Sequence, residues 1–403
     1  MKKVLFSIAS LYDGGAERAL SNIVTHFPND WEIDILLNNE RLIEYPYKGN
    51  ILSLSLPDFR NRKTPIYFCR ELMKRTCVLR KLKKNNHYNA CISFLDSSNI
   101  ANVLSGNKYC KTIISMRLNM TSKKSGLLYR ISAFPLINFV YRHADKIVTV
   151  SREIEQDMRA RYHIPAKRIT TIVNGYDVAE IQNNAQNRPE GAKLPKGKKW
   201  VVTVGRLDSQ KGQWHLIRAF TKVVEQEPEA VLLIIGTGEC RQMLKRMIHL
   251  FKMEKHIYLL GFQSNPFWYI AQAEVFVLPS MYEGFPNSLA EALCCKVPCV
   301  ATDFHSGARE LLAPEMDIMG KPIKKVTEVQ YGILTPVCSG VMYKGTEPLE
   351  TAERKLTDAI LMLLKDKEKN QYYRKQSENR SNTLGIASIV QDWLQVISDH
   401  TEV

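Results

Sequence analysis

No stretch of this 403-residue chain approaches the ~20 consecutive apolar residues that a helix needs to span a bilayer. The basic start, Met1-Lys2-Lys3, leads into a short apolar run over residues 4–9, but no cleavage site of small residues follows. We therefore read that run as a first strand and expect a cytoplasmic protein. Cysteine is sparse and unpatterned: nine residues, an odd number, with no Cys-x-x-Cys. That excludes a disulfide framework and the common zinc ribbons. Cys295 and Cys299 lie near His305, but their spacing matches no zinc pattern, and core thiols are the expectation. A complete Gly-x-Gly-x-x-Gly is missing as well. Gly236-Thr237-Gly238 runs on to Arg241, and Gly14-Gly15 lacks a third glycine, which argues against a nicotinamide-dependent oxidoreductase.

Basic charge is in excess. The formal net charge of +15 implies an anionic partner, and much of the excess falls between residues 60 and 84. Arg60, Arg62, Lys63, Arg70, Lys74, Arg75, Arg80, Lys81, Lys83 and Lys84 alternate there with apolar residues. Such a basic amphipathic helix suits an anionic membrane surface as well as it suits a solvated face. Residues 126–141 are a second apolar stretch, for which core packing is expected.

At this length two domains are expected. Apolar runs alternate with helical stretches, the pattern of parallel sheets covered by helices. Strands are expected at residues 4–9, 31–37, 90–94, 111–116, 146–151 and 169–173. The second half starts a strand at residue 199 and continues at 231–235, 256–260, 275–278 and 298–302. Residues 179–198, rich in Asn, Pro and Gly, read as a linker between domains 1–178 and 199–385. Residues 313–345 look less regular, and apolar residues from Ile386 to Ile397 share one helical face.

The chemistry-bearing segments follow strands. Glu283 and Glu291 flank Gly284-Phe285-Pro286-Asn287-Ser288-Leu289, where a strand ends and a helix begins. Small residues there leave the backbone donors of the first helical turn open to an anion. Even in a continuous helix the two acids would stand about 12 Å apart, beyond the ~5–9.5 Å of a hydrolytic carboxylate pair. Two acids either side of an anion-binding turn better suit the hydroxyl-rich ends of a nucleotide sugar. Arg206 and Lys211 follow another strand in Gly205-Arg206-Leu207-Asp208-Ser209-Gln210-Lys211-Gly212, and Gly236 and Gly238 follow a third. Asp13-Gly14-Gly15-Ala16-Glu17-Arg18 follows the first.

In this order and spacing, the four segments resemble family 4 of the retaining glycosyltransferases, and the resemblance runs over essentially the whole chain. It implies the GT-B architecture: two Rossmann-like domains facing each other across a cleft, with the last helix, residues 386–400, crossing back to the first domain. It also implies an enzyme that moves a sugar from a nucleotide diphosphate, UDP being the commonest among such relatives, to an acceptor hydroxyl. Arg206 and Lys211 would hold the donor phosphates, and Glu291 the ribose hydroxyls. Glu283 would contact the transferred sugar. Backbone donors near Gly284, Asn287, Ser288 and Leu289 would meet phosphate and sugar, Gly236 and Gly238 would lie near the base, and Gly14 and Gly15 would allow close approach to the donor. No Asp-x-Asp occurs, and with two cations supplied by the chain neither a metal nor another cofactor is expected. Many relatives carry a histidine after the strand at residues 111–116, where this chain has Arg117. An arginine cannot serve as a base; Arg117 and Asp96 are acceptor-side candidates. Ser306-Gly307-Ala308-Arg309-Glu310 is similar to a segment of relatives that build capsule, O-antigen or exopolysaccharide on lipid-linked acceptors, which implies a lipid-linked saccharide acceptor at the inner face of the membrane. A nucleotide-sugar epimerase of similar fold and a basic nucleic-acid- or membrane-binding protein remain the alternatives.

Overall fold

The computed structural model describes residues 2–12, 14–41, 43–56, 65–117, 134–192, 195, 197–304, 307–343 and 347–399. The chain forms two compact units, Met1–Gly175 with Ile386–Val403, and Tyr176–Gly385.

The first unit holds β1 (Lys2–Ser7), β2 (Trp31–Leu37), β3 (Asn50–Ser53), β4 (Ala90–Phe94), β5 (Lys111–Met116), β6 (Lys146–Thr149) and β7 (Ile169–Thr171). They form one sheet in the order β3-β2-β1-β4-β5-β6-β7, parallel throughout. Helices cover both faces, so the inner strands are buried on both sides and read as unbroken apolar runs. β3 lacks such a run because it is a short, half-exposed edge strand. The helix Ile386–Ser398 belongs to this unit and seats Ile389, Val390, Trp393 and Ile397 in its core. Trp393 lies 5.8 Å from the ring of Phe94. Gly175 permits this docking, since a Cβ there would stand 2.7 Å from Ile386 Cδ1.

The second unit holds β8 (Lys199–Val204), β9 (Ala230–Ile235), β10 (Ile257–Gly261), β11 (Val275–Leu278), β12 (Cys299–Thr302), β13 (Thr327–Val329) and β14 (Gly332–Thr335). Its sheet runs β10-β9-β8-β11-β12-β14-β13, parallel except for the antiparallel pair β13–β14. Two expectations are corrected here. Residues 179–186 of the supposed linker belong to a helix, Val178–Gln186, capped by Asp177 and anchored by Ile181 and Ala185. Asn265 Nδ2 also donates to Asn184 O at 2.8 Å. The less regular section 313–345 contains β13 and β14, and β14 is an inner strand of the sheet.

The basic segment is the helix Pro65–Asn86, with Arg60, Arg62 and Lys63 outside the described residues. Two of its cations do not face solvent. Arg75 is buried and donates to Ser7 Oγ, to Ile8 O and to Asn38 Oδ1. Burial lowers its pKa to about 10, although Glu71 opposes the shift. Lys83 donates to Asn102 O, Gly106 O and Thr112 Oγ1 at 2.8–2.9 Å. Arg70, Lys74, Arg80, Lys81 and Lys84 are exposed, together with Phe68 and Met73. Among the described residues no helix is long and apolar enough to cross a membrane. Residues 126–133 of the second apolar stretch lie outside the described residues, and the helix Phe134–His143 follows. Its Val140 and Tyr141 are buried, whereas Phe139 is exposed.

Candidate functional site

In each sheet the chain winds outward in both directions from its first strand, so β1/β4 and β8/β11 are the points where strand order reverses. At such points loops leave the strand ends in opposite directions and open a crevice for ligands. Most of the candidate residues lie at the second of them.

The loop after β8 is drawn into a tight turn. Asp208 Oδ1 accepts the N–H groups of Gln210 and Lys211 at 3.1 and 3.2 Å. Gly212 has φ +62°, and a Cβ there would lie 2.4 Å from Pro279 O. Only glycine therefore lets this loop press against the end of β11. Met281 N–H donates to Gln210 O, and Gln210 Nε2 to Tyr282 O, both at 2.8 Å. The two loops are thus laced together by backbone and amide bonds.

This lacing brings Lys211 and Glu283 into contact, with Nζ 2.5 Å from Oε1 and side chains 14% and 8% exposed. Ser280 Oγ donates to the same oxygen at 2.7 Å. An ammonium has three donors, so this pairing uses one. Arg206 contrasts with Lys211: its side chain is 64% exposed and 3.3 Å from Asp208 Oδ2. Its backbone is fixed nonetheless, because Gln213 Nε2 donates to Arg206 O at 2.8 Å.

The helix Asn287–Cys294 starts directly after Pro286, which is its capping residue. Pro286 O accepts from both Leu289 and Ala290 at 3.1 and 3.2 Å. Leu289 N–H is therefore engaged within the turn. Asn287 Oδ1 accepts from Tyr176 OH at 2.6 Å. Ser288 Oγ is buried with no hydrogen-bond partner among the described residues. A buried hydroxyl in that state calls for a polar partner. Gly284 is buried, and Glu291 is 3% exposed on the inner side of the helix. Burial, with a smaller contribution from Glu291, pushes the neighbouring Cys294 thiol up to about 12.

Gly236 and Gly238 have a structural reason to be glycine. Cβ atoms there would stand 2.0 Å from Gly205 O and 2.4 Å from Leu207 O. They let the loops after β8 and β9 touch, and Leu207 N–H bonds Thr237 O at 2.8 Å. Ala308, Arg309 and Glu310 of the Ser-Gly-x-Arg-Glu segment are buried, and His305 and Ser306 lie outside the described residues. Arg309 grips Asp303 through two bonds of 2.6 and 2.7 Å and donates to Asp317 O, Gly320 O and Lys321 O. Gly307 packs on Pro286, whose Cδ would be 2.1 Å from an added Cβ. Ser280, Asp208, Gln210 and Gln213 belong to the site but stand out in no motif; the one signal was their place beside Lys211 and Glu283.

The remaining candidates lie in the first unit. Asp13 lies outside the described residues. Gly14 caps the helix Gly15–Thr25, and its missing Cβ makes room for the Glu17 carboxylate, whose Oε2 is 1.8 Å from that position. Asp96 opens the helix Asp96–Leu104 after Leu95, which has φ 71° and ψ 158°. That backbone region is almost exclusive to glycine and is tolerated where surrounding structure enforces it. Arg117 is 8% exposed, donates from Nε to Ser115 Oγ at 2.8 Å and from Nη1 to Asn174 Oδ1, and lies 4.7 Å over the ring of Phe94.

Comparison with known proteins agrees with this anatomy. The family model "Glycosyltransferase Family 4" matches residues 13–180, and "Glycosyl transferases group 1" matches residues 184–319. The chain belongs to glycosyltransferase family 4 and is a glycosyltransferase with the GT-B fold of two Rossmann-like domains. It is 27% identical, over 98% of its length and 100% of the relative, to N-acetylgalactosamine-N,N'-diacetylbacillosaminyl-diphospho-undecaprenol 4-alpha-N-acetylgalactosaminyltransferase of Campylobacter jejuni. An uncharacterized glycosyltransferase of Methanocaldococcus jannaschii is 29% identical, over 83% of this chain and 85% of the relative. Among solved structures, HepE of Anabaena in complex with UDP superposes with a TM-score of 0.72 at 18% identity, covering 99% of this chain and 100% of that one. Sucrose-phosphate synthase of Thermosynechococcus elongatus gives 0.74 at 17%, covering 98% of both chains.

Proposed function

We propose that this glycosyltransferase moves a hexose or N-acetylhexosamine from a UDP-sugar to a hydroxyl of a lipid-linked saccharide, with retention, in cell-surface polysaccharide synthesis. The observation that carries the reading is the Lys211–Glu283 pair at the β8/β11 reversal, next to the first turn of the helix Asn287–Cys294. Charge builds on the departing diphosphate, so fixed cations and donors aimed at it are the largest catalytic contribution. Lys211 is held in place for that, and Arg206 has the reach and the planar fork to close on phosphate oxygens. Ser288 Oγ supplies a further donor. Glu283, steadied by Lys211 and Ser280, faces the sugar hydroxyls, and Glu291 the ribose. The bond from the anomeric carbon to the β-phosphate oxygen breaks as the acceptor oxygen bonds to that carbon from the same face. The acceptor proton passes to the leaving phosphate, so no protein nucleophile is needed and no metal is required.

The acceptor class is inferred from relatives. The Campylobacter jejuni relative is named for a diphospho-undecaprenol substrate, and an Escherichia coli relative for UDP-galactose and a diphosphoundecaprenol acceptor. The exposed cations of the helix Pro65–Asn86, with Phe68 and Met73, suit peripheral contact with an anionic membrane on its cytoplasmic face. Incubating the purified protein with a panel of nucleotide sugars tests the reading. Slow release of UDP from one donor, sped by a lipid-linked saccharide and unaffected by chelator, is expected. Conversion of a donor to its epimer without acceptor, or turnover of no nucleotide sugar, would overturn it.

A further inference from the structure

Gln213, Trp214 and His215 directly follow the Lys211–Gly212 turn. Gln213 holds Arg206 O, whereas the next two residues reach the loop beyond β14. Trp214 Nε1 donates to Val341 O at 3.1 Å, and His215 Nε2 accepts the Gly340 N–H at 3.2 Å. An accepting Nε2 puts the ring proton on Nδ1, which faces Glu353 Oε1 at 2.8 Å. Arg218 Nε donates to the same Glu353 oxygen at 2.8 Å, and Nη2 reaches Glu347 O and Pro348 O at 3.0 Å. Glu350 accepts from Ser339 N–H and Tyr343 OH at 2.8 and 2.9 Å. The loop 338–343 is thus fastened from beneath by a buried, charged network.

The other side of that loop touches the candidate site. A Cβ on Gly340 would stand 3.3 Å from Met281 Cε. Met281 bonds Gln210 O and lies two residues before Glu283. His215, Cys338 and Glu350 also place ligand-type atoms within 4.8 Å of one another, a grouping that suggests a metal. Both His215 nitrogens and both Glu350 oxygens are already engaged, and Arg218 adds positive charge beside them. The grouping suits a brace better than a metal centre.

We propose that His215 is a positioning residue for sugar transfer: by accepting the Gly340 N–H it holds the 338–343 loop against Met281 and so fixes the segment that pairs Glu283 with Lys211. The inference rests on the reading of that pair as the donor site. The test measures UDP affinity and hydrogen exchange at residues 281–283 and 339–343 in the full chain. His215→Leu removes the acceptor; His215→Gln offers a side-chain carbonyl in its place. The leucine variant is expected to bind UDP about tenfold more weakly, the scale of one lost hydrogen bond, with faster exchange in both segments. The glutamine variant is expected to regain most of the affinity. A folded leucine variant with wild-type UDP affinity, or a glutamine variant equally impaired, overturns the proposal. If the leucine variant does not fold, Met281→Ala loosens the same contact from the other side and is expected to weaken UDP binding; unchanged binding overturns the proposal. Glu291→Ala separates the two readings. UDP binding weakened by Glu291→Ala but not by the His215 and Met281 variants overturns the brace alone, whereas binding indifferent to all of them overturns the donor site and the brace with it.

Discussion

Two ion pairs at the ends of neighbouring strands of the second sheet serve opposite ends. Arg309 and Asp303 are each 1% exposed, joined by two bonds, and Arg309 spends its other donors on three backbone carbonyls. Lys211 and Glu283 meet through one bond and keep some exposure. The first pair is saturated, and its guanidinium has nothing left to offer a ligand. The second fixes a cation in place and leaves donor capacity over. A buried cation in a recognisable motif is thus no sign of ligand binding until its donors have been counted.

Breaking the saturated pair should have the largest effect. Arg309→Ala strands Asp303 as a buried charge and is expected to cost about 3–5 kcal/mol of stability. A fall in melting temperature would register it, and a variant as stable as wild type would contradict the structural role. Lys211→Ala comes next, and its loss should appear chiefly in turnover, beside weaker UDP binding: a fall of about 10²–10³-fold with the fold retained, read from steady-state rates beside circular dichroism. Glu291→Ala should chiefly weaken UDP binding, about tenfold or somewhat more, as for a lost hydrogen bond to a charged group. Arg206→Lys sharpens the comparison from the exposed side. Keeping the charge and losing the fork should slow turnover only several-fold, because an exposed lysine still reaches phosphate oxygens as a point charge. Equal damage from the Lys211 and Arg206 changes would mean that fixing the cation in place confers no advantage.

Much of the framework was legible because parallel strands buried on both faces leave unbroken apolar runs. The expected strands at 31–37, 90–94, 111–116 and 275–278 coincide with β2, β4, β5 and β11. The misses share a cause. β3, β13, β14 and the helix Val178–Gln186 are short elements with no long apolar run to announce them. In the helix the signal was present as Asp177 at the cap and Ile181 and Ala185 at helical spacing, masked by four asparagines and glutamines. The burial of Arg75 and Lys83 could not be read at all. Their acceptors, among them Ser7, Asn38, Asn102 and Thr112, are distant in sequence, and backbone carbonyls leave no mark in it. In the candidate site, residue types were legible and states were not. The sequence indicated two acids and two cations; that Lys211 is paired, Arg206 exposed and Leu289 N–H engaged follows from how the two loops are laced.

The central claim is that the second sheet's reversal point receives the donor diphosphate, and a crystal structure of the protein with UDP tests it most directly. The account predicts the diphosphate beside Lys211 Nζ and the first turn of the helix Asn287–Cys294, with the ribose at Glu291. A UDP bound elsewhere, with Lys211 and Ser288 untouched, would contradict it.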